Sequence, residues 1–97
     1  PTDQAFVDLL AELGVNSISD IDANTLTAAL NTHVIAGANV RSTDLSDGSV
    51  STLGADLNVD AANAVLTDPN DRQSNIIAFD VQAANGVIHA IDTVLLP

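Results

Sequence analysis

The spacing of apolar residues changes about a third of the way along the chain. From Ala5 to Leu13, the residues Ala5, Phe6, Leu9, Leu10 and Leu13 recur at three- and four-residue intervals, which predicts a helix with one buried stripe. Thr2 or Asp3 can cap its first amides, Asp3 favours the positive end of its dipole, and Gly14 suits a left-handed stop. A shorter helix is predicted in the run DANTLTAALN, with Asp22 or Asn24 as cap and Leu26, Ala29 and Leu30 on one face. After Asn31 the period falls to two. HVIAG reads as the core of a strand, and SVSTL, DLNVD, NAVLT, NIIAFDVQA and VIHAIDTVLL follow between turn-forming pairs. In DLNVD, Leu57 and Val59 alternate with Asp56, Asn58 and Asp60, the mark of a half-exposed strand. Asn85-Gly86 signals a tight turn before the last strand.

Two helices followed by about six short strands predict an α+β fold, with the helices packed on an antiparallel β-sandwich or small barrel. The 97 residues show no repeat, linker or low-complexity tract and make one domain, residues 1–97. A chain of that size buries roughly 60–65% of its unfolded surface, so one core is feasible without cross-links.

Charge narrows the choice of partners. Thirteen acids against two arginines, Arg41 and Arg72, give a formal net charge of −11. Such a surface repels nucleic acid and anionic lipid, whose binding needs clustered cations. With two Phe and no Trp or Tyr, platforms for stacking bases or sugars are scarce. The acidity reads first as a solubility device of an extracellular protein and second as cation binding. No apolar run approaches the ~20 residues of a membrane span, so no membrane insertion by this segment is expected. Cysteine is absent, which removes disulfides and thiolate metal sites.

Little in the sequence points to catalysis. His33 and His89 stand far apart with no His-x-x-x-His pattern for zinc, and no serine lies in a Gly-x-Ser-x-Gly elbow. The loop TDPNDRQSN offers Asp68, Asn70 and Asp71 as hard oxygen ligands for calcium, but it lacks the glycine and terminal glutamate of a twelve-residue calcium loop. A plain solvent-facing turn is the favoured reading, with no cofactor. In the closing strand, Val87, His89 and Ile91 alternate with Ile88, Ala90 and Asp92, and both sets are mostly apolar. That predicts a central strand covered on both faces, in which His89 is a neutral histidine held by hydrogen bonds and forms no dyad with Asp92.

The segment NGVIHAIDTVLLP resembles the second signature motif of the fasciclin-like domain family. PTDQAF is similar to the end of the first, and LNTHVIAGANVRSTDL to the central tyrosine–histidine segment. The resemblance runs in unbroken order from Pro1 to Pro97. It implies a fasciclin-like wedge of short helices on a β-sandwich, and a secreted or cell-surface module for adhesion or matrix association. Such a module binds other proteins or glycans without catalysis. The family's motif positions fall on Thr2, Asp3, His33, Asn85, Gly86, His89 and Asp92, most of them structural. Adhesion-linked positions fall on His33 and on Asp80-Val81, but Thr32 stands where the family has tyrosine, which points away from an integrin as partner. Relative to the family pattern, this chain is N-terminally incomplete: members carry a helical segment and a strand before the Pro-Thr-Asp motif. That leads to an alternative expectation, a structural subunit whose copies self-associate into a polymer or filament by strand donation.

Overall fold

Helix formation follows the caps. In the computed structural model, which describes residues 1–97, helix α1 spans Asp3–Leu13. The Thr2 hydroxyl accepts the Ala5 amide at its start, and Gly14 closes it at φ 71° in the left-handed region. Ala5 and Leu9 are buried, and Leu13 turns outward. A single 3-10 turn, Ile18–Asp20, leads to α2, Ala23–Thr32, which the Asp22 carboxylate caps through the Thr25 amide. The buried side of α2 is rotated from the expected one: Ala29 and Thr32 are inside, whereas Leu30 is 45% exposed. Thr32 fixes that rotation, because its hydroxyl donates to the Ala28 carbonyl and accepts the Ala55 amide.

The strands form one antiparallel meander in the order β1-β2-β3-β4-β5. They are β1 Gly48–Val50, β2 Leu57–Asp60, β3 Val65–Thr67, β4 Gln73–Ala83 and β5 Gly86–Ile91. Strand β2 keeps the alternation read from its sequence, with Leu57 and Val59 buried and Asn58 exposed. Strand β4 belongs to two ladders: Gln73–Asn75 pair with β3, and from Ile76 onward it pairs with β5, with register shifts between Ile76 and Ala78 and between Ala78 and Val81.

Three local expectations change. HVIAG forms no strand. His33 ends α2, Gly37 takes φ 77°, and Val34 spends its carbonyl on the Leu53 amide, so this stretch is an irregular loop. The tight turn after β4 is Ala84–Asn85, with Ala83 paired to Gly86, so Gly86 opens β5 instead of lying in the loop. Finally, β5 lies at the edge of the sheet, and Ile88 is 59% exposed. Alternation alone cannot separate an edge strand with one open apolar face from a central one.

Two small cores meet at the C-terminal segment. Leu57, Ile76, Ile91 and Leu95 form one between the sheet and its loops, while Ala5, Leu9 and Val94 form the other under α1. Val94 and Leu95, adjacent in sequence, therefore face opposite cores.

Candidate functional site

The two histidines, distant in sequence, border one cleft. It lies between the sheet and the loop after α2, holds about 260 Å³, and is lined mainly by apolar side chains such as Val40, Leu45, Leu57, Ile76 and Val87. Each imidazole is tied to backbone at both nitrogens. His33 donates from Nδ1 to the Ala29 carbonyl at 2.7 Å and accepts the Leu95 amide on Nε2 at 2.9 Å. His89 donates from Nε2 to the Val40 carbonyl at 2.7 Å and accepts the Asp80 amide on Nδ1 at 3.2 Å. These partners assign a neutral tautomer to each ring, Nδ1–H for His33 and Nε2–H for His89. Burial pushes the pKa of His33 down, because the charged ring would be desolvated, and the bond to Ala29 only partly offsets this. Phe79 lies edge-on to His89, with ring centroids 5.7 Å apart.

A serine, an aspartate and a histidine are neighbours here, but in the wrong order for a catalytic triad. In a triad the imidazole bridges carboxylate and hydroxyl. Here the Asp80 carboxylate takes both the amide and the hydroxyl of Ser42, and His89 touches only the Asp80 backbone. The Ser42 bonds, side chain first, hold the Asp80 carboxyl below the usual range. Asp80 occupies φ 58°, which lets the bulged β4 turn its side chain toward Ser42. The other polar side chains on the cleft, the Thr32 and Thr52 hydroxyls, are bonded to the Ala28 and Ala55 carbonyls. Among its side chains, the cleft offers apolar surface and no uncommitted acid or base.

Asp92 lies away from His89. Its carboxylate accepts the Asn75 amide at 2.8 Å, the Asn75 side chain at 3.0 Å and the Ser74 and Thr93 hydroxyls, which, led by the Asn75 side chain, lower its pKa. Of the expected adhesion positions, Asp80 and Val81 lie in the bulged part of β4 and His33 at the end of α2 inside the cleft.

In the loop after β3, Asp68 is buried and accepts the amides of Asn70, Arg72 and Leu96 at 2.8–3.0 Å. Asn70 donates to the carbonyls of Leu96 and Pro97. Asp71 is exposed, at φ 63°. The loop directs Asp68 and Asn70 at the C-terminal segment, and Arg72 joins the same knot by donating to the Val94 carbonyl and to Glu12 of α1. Sequence reasoning missed Arg72, although a lone cation beside an Asp-Pro turn in so acidic a chain was a usable signal.

The β4–β5 hairpin also carries apolar side chains into solvent. Val81 faces Ile88 across the ladder, 51% and 59% exposed, and Ile77 on β4 is 57% exposed.

Comparison with known proteins comes out on the side of one family. The family model of the Fasciclin domain matches residues 1–97. The chain is 38% identical over 98 residues to the cell surface glycolipoprotein MPT83 of Mycobacterium tuberculosis, and equally to the cell surface glycolipoprotein MPB83 of Mycobacterium bovis. Each alignment covers 100% of this chain and 41% of the relative, so the chain spans well under half the length of these curated relatives. No solved structure matches it.

Proposed function

The chain belongs to the Fasciclin domain family, and we propose that it is a non-catalytic adhesion module, secreted or held at the cell surface, that binds other proteins or glycans there. One structural observation carries the binding reading: the β4–β5 hairpin exposes the paired Val81 and Ile88 and, further along β4, Ile77. Solvent-facing apolar side chains grouped on one hairpin mark an interaction surface better than scattered ones do. No helix is long and apolar enough to cross a membrane. The cleft supports a structural role for both histidines, since each holds two backbone groups.

The test is adhesion of the purified chain to the envelope fraction of the cells that produce it. Wild-type protein should bind saturably, and Val81→Asp with Ile88→Asp should lose most of that binding while keeping a cooperative thermal transition. Equal binding by the double variant would remove the hairpin from the interface.

A second reading, a subunit that assembles by strand exchange, rests on β5 being an edge strand of the sheet, although the Thr2 amide already takes its Ile91 carbonyl. Sedimentation would separate the two: this reading requires concentration-dependent filaments or oligomers, and a monomer at all concentrations defeats it.

A further inference from the structure

The surface of this protein is acidic, but not evenly so. The runs from Ala23 to Val40 and from Val81 to Ile91 contain no Asp, Glu, Lys or Arg. The fold brings these two charge-free runs together. Between the loop Ile35–Asn39 and the β4–β5 turn lies an open groove of about 640 Å³ that adjoins the histidine cleft and shares Ile35, Ala38 and Val87 with it, and none of its lining side chains is ionisable. Three side-chain amides reach it, from Asn39, Gln82 and Asn85. Gln82 spends its Nε2 on the Ala83 and Gly86 carbonyls, at 3.1 and 2.9 Å, and on Asn39 Oδ1 at 3.5 Å. That leaves Gln82 Oε1, Asn39 Nδ2 and both side-chain atoms of Asn85 without a partner in the chain. Ile35, Ala84 and Val87 supply apolar surface beside them.

We propose that this groove binds an uncharged sugar unit of a surface or matrix glycan, with Asn39, Gln82 and Asn85 as its polar contacts. The proposal deepens the adhesion reading and rests on it. The chemistry of the unpaired atoms chooses the class. Primary amides donate from nitrogen and accept at oxygen, so together they match neighbouring hydroxyls, each of which is donor and acceptor at once. The apolar residues suit the C–H face of a sugar ring. Anionic sugars are disfavoured, because no cation lines the groove and the molecule around it carries −11. A protein partner fits less well: protein interfaces favour aromatic, Met and Arg side chains, none of which line this groove, and its free groups sit on separate elements instead of along one backbone edge. Without an aromatic platform, affinity for a single chain should be weak, about millimolar, and surface adhesion would then depend on many copies acting together.

The experiment is a titration of the isotope-labelled chain followed by NMR. The probes are cellotetraose, mannotetraose and galactotetraose, an oligogalacturonate of the same length, and an uncharged extended tetrapeptide. At least one neutral tetrasaccharide should shift the side-chain amide signals of Asn39, Gln82 and Asn85 saturably. The oligogalacturonate should bind at least about tenfold more weakly. Asn39→Ala combined with Asn85→Ala should abolish the saturable shift of the remaining Gln82 side-chain amide and leave the thermal transition in place. No saturable shift with any neutral probe up to about 50 mM, equal binding of the oligogalacturonate, or a preference for the peptide overturns the proposal. Failure of the parent reading looks different. If no neutral tetrasaccharide shifts these signals while the wild-type chain still adheres to the envelope fraction, the sugar site is wrong and adhesion stands; if the wild-type chain does not adhere, the adhesion reading itself falls.

Discussion

His33 shows how a single residue sets a pH limit on the fold. Its pKa is lowered by burial, so between the folded value and the ordinary value of about 6.5 the unfolded chain binds more protons than the native one. The stability tied to the neutral ring is therefore fully present above about pH 6.5 and is lost as the pH falls through the folded pKa. Thermal unfolding followed from pH 7.5 to 5 should show this loss, and His33→Gln should flatten the profile over that window. An unchanged slope in the variant would assign the loss to other groups. Below about pH 4, Asp92 adds a second loss of the same sign, since its carboxyl is also held below its ordinary value. Gly54 makes a different single-residue prediction. A Cβ built there would stand 2.4 Å from Thr32 Oγ1 and 2.8 Å from the Thr32 amide nitrogen. Because one of those atoms is backbone, rotation of the threonine side chain does not relieve the clash. Gly54→Ala should destabilise the chain by about 1–3 kcal/mol in denaturant unfolding.

At the scale of elements, the irregular tail from Asp92 onward does more than any strand to join the parts. Val94 enters the α1 core, Leu95 the sheet core, and the backbone amides and carbonyls between Val94 and Pro97 are taken by His33, Asp68, Asn70 and Arg72. Asp68 is the centre of that arrangement, buried and accepting three amides. Asp68→Asn loses charge-assisted acceptance and turns an N–H₂ group toward at least one donor, which should cost about 2–3 kcal/mol. Asp71→Asn, one turn away, should change stability by less than about 0.5 kcal/mol, because Asp71 is exposed and Asn tolerates its positive φ. A calcium site built on this loop would reverse the ranking in the presence of calcium, with both substitutions abolishing a saturable heat of binding in calorimetry.

At the scale of the whole molecule, the net charge of −11 predicts self-repulsion that salt relieves. Raising sodium chloride from low to physiological concentration should raise the melting temperature. Calcium and magnesium at equal ionic strength should raise it alike, and a calcium-specific increase would reveal a site. The two arginines are placed where a uniform charge estimate would not put them. Arg72 ties Glu12 to the tail, and Arg41 is exposed in the loop leading to Ser42.

Local physics made much of this protein legible before any coordinates. The Thr2 and Asp22 caps, the left-handed stop at Gly14, the alternation of Leu57 and Val59 and the α+β class all depend on near neighbours in the chain, and pattern reads those directly. What needed tertiary structure was everything decided by a distant partner. HVIAG has the composition of a strand but finds no ladder, because Gly37 bends it away and Leu53 takes the Val34 carbonyl. Leu30 has helical spacing but faces solvent, because Thr32 must meet Ala55. His33 and His89 come to one cleft only once the tail folds over α2 and β5 turns along the sheet edge. The groove of Asn39, Gln82 and Asn85 could not be read from sequence at all, since exposed amides at scattered positions acquire meaning only when the fold sets their unpaired atoms side by side.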